Sequence, residues 1–337
     1  MPKPVQPAPE PIRAATVQRV VIDEGSAGQR LDNFLIKILK GVPKTHVYRI
    51  IRSGEVRVNK GRAAADTRLE LGDEVRVPPV VQAERADHDA TPAREFPVLF
   101  EDEYLLAVNK PAGVAVHGGS GVSFGVIEQL RRARPQAKFL ELVHRLDKET
   151  SGILLIAKKR AALIALQDQF RARETGKTYA VLVEGTWPKS KKVVDVALHK
   201  YLTAEGERRV KAVADDNEDG RRSISLVKVV QAFAEHSLLD VTIKTGRTHQ
   251  IRVHMAHEGH PIVGDEKYGD FARNKALAKG EGSGGAQGVR FARMFLHARY
   301  LRFEHPATHE TIELTAPLPT ECSALVAALE NASRQKG

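Results

Sequence analysis

The stretch VHRLDKETSGILLIA spans residues 143–157 and has two unlike halves. The first half concentrates charged and polar side chains and places Asp147 between an arginine and a lysine. The second half, from Ile153, is a continuous apolar run whose length is typical of a strand buried on both faces. The sequence therefore predicts a charged loop anchored by a buried strand. The aspartate in that loop is either one partner of an ordinary ion pair or a reactive carboxylate.

Further strand-like runs on both sides of this stretch predict a large domain over residues 96–337. The short β-branched runs lie at residues 105–108, 152–157, 179–183, 223–230 and 237–243. The helical segments, at residues 126–132, at residues 160–171 and after Thr320, do not alternate regularly with the strands. This pattern favours an α+β fold with a mixed sheet over a doubly wound α/β fold. Residues 272–289 are expected to form a flexible surface insertion because they are rich in glycine and polar residues.

A smaller unit is predicted over residues 28–80. Apolar residues recur every three or four positions from Leu31 to Leu39, as on one face of an amphipathic helix. A second short helix and two short strands follow it. The proline-rich start of the chain indicates that residues 1–27 are a disordered tail and lead-in. Residues 81–95 are predicted to be a linker between the two domains.

The predicted helices of the small unit are strongly basic. Nine lysines and arginines lie between residues 28 and 62, against two acidic residues. A solvated helix face is the plain interpretation, but this balance in a compact unit favours a surface that follows a phosphate backbone. The candidate RNA-binding residues of this unit are Arg30, Lys44, Arg49 and Arg52.

The whole chain has 337 residues, a formal net charge of +10 and one cysteine, Cys322. The positive charge favours a polyanionic partner, with nucleic acid ahead of an anionic membrane surface. One cysteine permits neither a disulfide framework nor a thiolate zinc site. No segment approaches the roughly 20 apolar residues that span a bilayer. We expect a protein of the cytoplasm that does not enter a membrane.

Residues 245–269 read TGRTHQIRVHMAHEGHPIVGDEKYG and contain four histidines. Their spacing is poor for a zinc site, which would have two histidines on one helix face with a carboxylate such as Asp265 nearby. The start of the segment fits a strand as well as a helix. Basic and amide side chains fit contacts to phosphates and base edges better than they fit a metal ion. The candidates for such contacts are Arg247, His249, Gln250 and Arg252.

An acid–base hydrolase that uses His144 or His254 with Asp147 is another interpretation. Such an enzyme needs an activated hydroxyl nucleophile or a pair of carboxylates. The sequence contains no nucleophile elbow, no phosphate-cradling glycine loop and no paired-carboxylate motif. The hydrolase interpretation therefore does not explain why the single aspartate Asp147 lies among basic residues.

A single reactive aspartate beside RNA phosphates requires partners from elsewhere in the chain. A close arginine keeps a carboxylate charged where burial and phosphates oppose the charge. Arg252 and Arg247 are the candidate partners, and Arg145 is expected to face RNA. An aromatic side chain is also needed to stack on an unstacked base, and Tyr179 fits that requirement.

The residues of these segments resemble a known family. His144-Arg145-Leu146-Asp147 followed by Thr150-Ser151-Gly152 resembles the catalytic motif of the RluA class of ribosomal large-subunit pseudouridine synthases. The other motifs of the class are similar to residues 109–113 with His117, Lys177-x-Tyr179, residues 245–254 and residues 264–269. Residues 28–80 resemble an S4 RNA-binding domain. Two shorter stretches, at residues 40–44 and 116–128, resemble the synthase C subgroup of the class.

The resemblance implies a cofactor-free isomerisation of specific uridines to pseudouridine in large-subunit ribosomal RNA. Asp147 corresponds to the essential aspartate, which either attacks C1′ or removes a ribose proton. Tyr179 corresponds to the tyrosine that stacks on the base, Arg252 to the arginine paired with the aspartate, and Arg145 to an arginine that holds the flipped nucleotide. The remaining motif members near the site are Arg247, His249 and Gln250.

The resemblance also sets the expected architecture and partners. We expect an α+β protein in which a small S4-type helix-hairpin domain precedes a catalytic domain with a mixed, largely antiparallel sheet. The implied partner is large-subunit ribosomal RNA, either free or in an assembling particle, and the implied state is a monomer without metal or cofactor. The alternative function is an RNA-binding ribosome-assembly factor whose synthase domain is inactive.

Overall fold

The structure is a computed structural model and describes residues 16–39, 41–80, 91–119, 122–203 and 207–335. The chain divides into two compact units, one ending at Ala90 and the other beginning at Thr91. The predicted linker at residues 81–95 lies largely outside the described residues. So does the first part of the predicted tail, residues 1–15.

The small unit consists of two short helices and a three-stranded sheet. Its elements are β1 (Gln18–Val21), α1 (Leu31–Ile38), α2 (Lys44–Arg52), β2 (Arg57–Val58) and β3 (Glu74–Val77). The strand order is β1-β3-β2, and both pairings are antiparallel. Apolar side chains of both helices and of β3 form one core cluster. The sequence pattern predicts both helices and the last two strands correctly.

The first strand of the small unit corrects the predicted boundary at residue 28. Residues 18–21, assigned from the sequence to a lead-in, form β1, which pairs with β3 in register from Gln18 to Val21. Ile22, which follows the strand, is only 1% exposed. The small unit therefore needs these residues, because without β1 one edge of β3 would lack its hydrogen-bonding partner.

The large unit is built on one ten-stranded mixed sheet. Its strands are β4 (Val98–Glu101), β5 (Leu105–Lys110), β6 (Glu141–Leu142), β7 (Ser151–Ala157), β8 (Gly176–Glu184), β9 (Val193–Asp195), β12 (Ile224–Ala232), β13 (His236–Ile243), β14 (Leu296–Glu304) and β15 (Thr311–Thr315). The main path is β4-β5-β7-β14-β8-β13-β12-β9. Within the described residues, β7–β14 is the one parallel pair among these strands. The predicted mixed, largely antiparallel sheet is confirmed.

A separate hairpin and five helices complete the large unit. The hairpin is β10 (Ala197–Leu202) with β11 (Arg208–Val213). The helices are α3 (Val126–Ala133), α4 (Arg160–Ala172), α5 (Gln250–His257), α6 (Phe271–Lys279) and α7 (Thr320–Arg334). The helices predicted at 126–132, at 160–171 and after Thr320 are all present. The segment that fitted a strand as well as a helix adopts the helix α5.

Strand β7 explains why the opening stretch anchors the fold. All seven of its residues are buried. Leu154 and Ile156 pack in the core cluster that contains the apolar side chains of α3. Ile153 and Leu155 point to the other face, where they share a cluster with apolar residues of α4. Both faces of the strand are therefore covered, which is why its sequence is continuously apolar rather than alternating.

Gly152 permits the parallel contact between β7 and β14. Its φ of +112° favours glycine, and a Cβ at this position would lie 2.2 Å from the carbonyl oxygen of Ala298. The loop that carries Asp147 ends directly before this contact. The close contact between β7 and β14 at Gly152 therefore fixes the point at which the Asp147 loop joins the sheet.

The predicted flexible insertion at residues 272–289 is wrong. Most of its first half belongs to α6, whose N-terminus is capped by the Asp270 side chain and whose last turn ends at Gly280 with a φ of +85°. Leu277 and Ala286 are buried in one core cluster with apolar residues of α7. The glycine-rich composition obscured these two buried residues, since neither belongs to a longer apolar pattern.

No helix in the described part of the chain is both long and apolar enough to cross a membrane.

Four buried histidines of the large unit make its stability sensitive to acid. Burial lowers the pKa of His144, His236, His254 and His297 to about 4, from a usual value near 6.5. Between these two pH values the unfolded chain binds more protons than the folded chain. The free energy of unfolding should therefore fall as the pH falls through this window, by up to about 5 kcal/mol per pH unit if all four titrate together.

Urea unfolding at several pH values, followed by the fluorescence of Trp187, measures this slope. Trp187 is the one tryptophan of the chain and is 1% exposed within the large unit. His254→Gln should reduce the slope by about one proton. The matched control is His309→Gln, which removes an exposed imidazole instead of a buried one. A stability that does not vary between pH 6.5 and 4 contradicts the prediction.

Candidate active site

A cleft of the large unit brings together the charged loop after β6 and the segment that leads into α5. Asp147 lies in the loop, and the wall opposite is formed by Tyr179 of β8 with Ile243 and Leu296 from the neighbouring strands. The other residues that line the cleft are Arg145, Leu146, Thr150, Gly246, Arg247, Thr248, His249, Gln250, Ile251 and Arg252. Five of the sequence-predicted site residues therefore surround Asp147 and Tyr179.

Arg252 is shared between two carboxylates. Its Nε and Nη2 donate to Asp265 at 2.7 Å each, and its Nη1 lies 3.5 Å from Oδ2 of Asp147. The Arg252 side chain is 6% exposed and that of Asp265 is fully buried, whereas that of Asp147 is 22% exposed. The predicted approach of Arg252 to Asp147 is present, but the stronger, bidentate partner of the arginine is Asp265.

The pair formed by Arg252 and Asp265 is held in its charged form. Burial opposes ionisation of Asp265, but hydrogen bonds from Arg252 and from two backbone N–H groups outweigh it and lower the pKa of this carboxyl below its usual range. Burial also opposes the charge of Arg252, and the contacts with Asp265 and Asp147 raise its pKa above the usual range. The guanidinium is thus a fixed positive charge at the floor of the cleft, next to Asp147.

His249 presents a second polar group to Asp147. Its Nδ1 lies 2.8 Å from the hydroxyl of Tyr268, and its Nε2 lies 3.7 Å from Oδ2 of Asp147. The backbone N–H of Val210 already donates to the Tyr268 oxygen, so the phenol proton is the one available for Nδ1. Burial lowers the pKa of His249, which favours the neutral ring. With the Tyr268 phenol donating to Nδ1, the ring proton of the neutral imidazole lies on Nε2 and faces the carboxylate.

Tyr179 lines the cleft as a neutral phenol. Burial raises its pKa far above the usual value, and the negative charge of Asp147 adds to this effect. Its ring packs against two core clusters of the large unit. A fixed, uncharged aromatic face beside a carboxylate suits the stacking of a base.

The buried side chain of Lys110 forms a hydrogen bond with the loop that carries Asp147. Lys110 is completely buried, and its Nζ donates to the carbonyl oxygens of Pro111, Val114 and Lys148 at 2.7–3.0 Å. Burial lowers the pKa of Lys110 to about 7. Gly113 N–H also donates to the Lys148 carbonyl at 2.9 Å, so the residue after Asp147 is tied to the segment that follows β5.

Arg145 and Arg247 both line the cleft with exposed side chains, as expected for residues that meet a ligand. Gln250 differs from that expectation. It is 3% exposed, and its amide bonds the Ile224 carbonyl, the Ser225 hydroxyl, the Thr245 hydroxyl and the Arg247 N–H. Although Gln250 borders the cleft, its amide is engaged by these four partners and positions the turn that carries Arg247.

The four residues predicted to bind RNA from the small unit lie on α1 and α2. Arg30 is bound by Asp32, to which its Nε and Nη2 donate at 3.1 and 2.7 Å. Lys44, Arg49 and Arg52 lie on the exposed side of α2, opposite its buried apolar residues. Three of the four therefore form one basic helix face, while the guanidinium of Arg30 is engaged within the unit.

The remaining histidines of the site segments have structural partners. His254 is fully buried with its Nδ1 2.9 Å from the Ser225 hydroxyl, and His260 has its Nδ1 2.8 Å from the Glu184 carbonyl. His144 accepts from the Leu155 N–H at 3.1 Å and stacks on Phe170. Within the described residues, neither His144 nor His254 forms an ion pair with Asp147, so the pairing that an acid–base hydrolase needs is absent. Within the described ranges, no group of three or more His, Cys, Asp or Glu side chains could hold a metal ion.

Sequence reasoning missed the contribution of three residues to the site. The sequence places Asp265, Tyr268 and Lys110 in motifs of the family and offers Asp265 as a candidate metal ligand, but it assigns none of the three a contact with Arg252, His249 or the Asp147 loop. Asp265 and Tyr268 follow Arg252 within 16 positions, on a turn that folds back against α5. A buried carboxylate close in sequence to a buried arginine is the signal that could have found the pair.

Comparisons with known proteins identify the family. Residues 104–257 match the family model described as RNA pseudouridylate synthase, and residues 29–75 match that of the S4 domain. The chain is 50% identical over 311 residues to the ribosomal large subunit pseudouridine synthase C of Yersinia pestis, covering 90% of this chain and 93% of that protein. Its identity to the protein of the same name from Escherichia coli K12 is 46% over 323 residues, covering 94% and 98%.

Solved structures lead to the same family. Human RNA pseudouridylate synthase domain containing 4 superimposes with a TM-score of 0.55 at 25% identity, covering 69% of this chain and 92% of that chain. Human RNA pseudouridylate synthase domain containing 1 gives a TM-score of 0.54 at 27% identity, covering 72% and 90%. Since its sequence matches curated synthases over nearly their whole length, the chain belongs to the RNA pseudouridylate synthase family, on the branch of the ribosomal large subunit pseudouridine synthases C.

Proposed function

We propose that this chain converts specific uridines of large-subunit ribosomal RNA to pseudouridine, with Asp147 as the reacting carboxylate. The observation that carries the proposal is the cleft in which Arg252 and His249 lie 3.5 and 3.7 Å from Asp147 and Tyr179 lines the same cavity. The names of the curated relatives support the choice of RNA. The S4 domain and the basic face of α2 support RNA binding by the small unit.

The reaction balances without a cofactor. The C1′–N1 bond of the uridine breaks, the base turns, and a C1′–C5 bond forms. The hydrogen on C5 leaves as a proton and N1 gains one, so no electron is gained or lost overall. Asp147 acts at the ribose as a nucleophile or as a base, and both roles require an ionised carboxylate.

Each residue around Asp147 has a defined task in the proposal. Arg252, held by Asp265, keeps a positive charge beside the carboxylate when RNA phosphates enter the site. Tyr179 provides the face on which the uracil stacks after it leaves the RNA helix. Arg145 and Arg247 contact the flipped nucleotide and its backbone, since both are exposed at the mouth of the cleft. We further propose that the chain acts as a monomer in the cytoplasm.

Direct turnover tests the proposal. The full chain is incubated with an unmodified large-subunit rRNA transcript and with particles from a strain that lacks the protein, and pseudouridines are mapped by chemical modification and primer extension. We expect pseudouridine at the positions that are unmodified in that strain, with the same rate in the presence of a metal chelator. Binding without pseudouridine formation on either substrate would instead favour an assembly factor with an inactive synthase domain. Loss of turnover with chelator would contradict the proposed chemistry.

A further inference from the structure

A second pocket adjoins the cleft and is lined by positive charge. This basic pocket, of about 610 Å³, is lined by Arg171, Arg173, Lys177 and Arg247 together with Phe170 and small or neutral residues. No carboxylate lines it. Gly246 and Arg247 line both the basic pocket and the cleft, so the two cavities are adjacent.

Strand β8 places the basic pocket beside the base-stacking wall. Lys177 and Tyr179 are two positions apart on this strand, so their side chains leave the same face of the sheet. Two residues of a strand span roughly 7 Å, which is the scale of one nucleotide of an extended RNA strand. A strand whose uridine stacks on Tyr179 would therefore place a neighbouring phosphate near Lys177.

Two cations of the basic pocket, Arg173 and Lys177, lack a compensating charge within the described residues. Arg171 pairs with Asp168 outside the pocket. Arg173 and Lys177 form no ion pair within the described residues. Burial lowers the pKa of Lys177, and the nearby charge of Arg173 lowers it further. Lys177 also lies over the Phe170 ring, with Nζ 5.2 Å from its centre. An anion bound between the two cations would relieve their repulsion.

Arg173 occupies a backbone conformation that its side chain disfavours. It caps the C-terminus of α4 with φ 63° and ψ 31°, in the left-handed region. Glycine is the residue that usually occupies this position, because it has no Cβ to clash. Helix capping alone would therefore select glycine at residue 173, and the arginine requires a reason outside the cap.

We propose that Arg173 and Lys177, with Arg171 and Arg247 at the edges of the basic pocket, bind a phosphate of the RNA strand next to the uridine in the cleft. This inference rests on the proposed function, since it takes RNA as the ligand. The adjacency of the two cavities favours RNA over an acidic protein segment, because a strand bound in the cleft through one nucleotide would bring a neighbouring phosphate beside the basic pocket. The contact would fix the register of the strand, so that one uridine and not its neighbour reaches Tyr179.

Arg173→Gly separates binding from stability. The substitution removes the cation and relieves the left-handed strain, so the urea midpoint followed by Trp187 should stay the same or rise. The affinity of the full chain for the rRNA transcript should fall about tenfold, as for loss of a charged hydrogen bond, and the slope of log K against log salt should fall by about 0.7. Lys177→Gln should lower the RNA affinity and the salt slope in the same way, and Lys177→Arg should restore part of both. The matched control is Lys275→Gln, an exposed charge on α6.

A neutral methylphosphonate linkage, placed singly at each position around the mapped uridine, identifies the phosphate. At one position it should weaken binding to the wild-type chain but not to Arg173→Gly. If the wild-type chain makes pseudouridine while Arg173→Gly and Lys177→Gln keep its affinity and salt slope, the basic pocket does not bind phosphate and the inference fails. If the wild-type chain binds the transcript but makes no pseudouridine, the proposed function fails, whichever way the binding comparison falls. If Lys275→Gln weakens RNA binding as much as Arg173→Gly does, the loss reflects the net charge of the protein, and the inference is also overturned.

Discussion

Asp147→Asn should abolish pseudouridine formation and leave RNA binding intact. Asparagine has the shape of aspartate, so the contacts with Arg252 and His249 can persist, but it can neither attack C1′ nor accept a proton. We expect the rate under saturating RNA to fall roughly 10³-fold or more. Affinity should stay the same or rise, because the substitution removes a negative charge that faces RNA phosphates. Single-turnover kinetics and filter binding with the same transcript measure the two effects.

Glu149→Gln is the matched control for this variant. It makes the same change of charge two positions away in the same loop, where the carboxylate is 43% exposed. Its rate should stay close to that of the wild-type chain. Retained turnover in Asp147→Asn would exclude Asp147 as the reacting group. A parallel loss in both variants would mean that charge in the loop, and not the position of Asp147, controls the rate.

Asp265→Asn should destabilise the large unit and misplace Asp147. The substitution leaves the buried guanidinium of Arg252 without its bidentate partner, and breaking a buried ion pair from one side costs about 3–5 kcal/mol. Arg252 is then attracted to Asp147 alone, so the carboxylate shifts from its position opposite Tyr179. A displacement of this kind lowers the rate by about 10²-fold. Urea unfolding followed by Trp187 and single-turnover kinetics below the unfolding transition measure the two losses.

Asp195→Asn provides the comparison for Asp265→Asn. Asp195 also binds an arginine, Arg222, through Nη2 at 2.6 Å, but the Arg222 side chain is 74% exposed. An exposed pair of this kind contributes at most about 1 kcal/mol. Suppose that Asp265→Asn lowers the free energy of unfolding no more than Asp195→Asn does and keeps the wild-type rate of pseudouridine formation. The pair of Asp265 with Arg252 would then not stabilise the site.

Arg252 therefore has two neighbours with different tasks. Asp265 is fully buried and receives two hydrogen bonds from it, whereas Asp147 is partly exposed and lies at the longer distance of 3.5 Å. The strong pair fixes the guanidinium, and the looser contact leaves the Asp147 carboxylate accessible to a substrate. A single tight pair between Arg252 and Asp147 would occupy the carboxylate that the proposed reaction needs.

The local spacing of apolar residues was sufficient to predict much of the fold. The uninterrupted run from Ile153 predicted a buried strand, and β7 is covered on both faces because α3 and α4 pack against it. The periodicity from Leu31 predicted α1, whose apolar face is in the core of the small unit. These predictions succeed because burial of one face or of both faces requires a spacing that the residues themselves display. The same reasoning failed at residues 272–289, where single apolar anchors in a glycine-rich segment have no periodicity.

The sequence by itself determined that Asp147 lies in a charged loop before a buried strand, and its resemblance to a known family indicated Tyr179 and Arg252 as partners. Only the tertiary structure decided how the charge of Arg252 is divided between Asp147 and Asp265. It also decided that Gln250 supports a turn, that Lys110 supports the loop, and that Lys177 opens onto a second pocket. Hydrogen bonds and ion pairs depend on distances between residues far apart in the chain, and those distances exist only after the sheet has brought β7, β8 and α5 together.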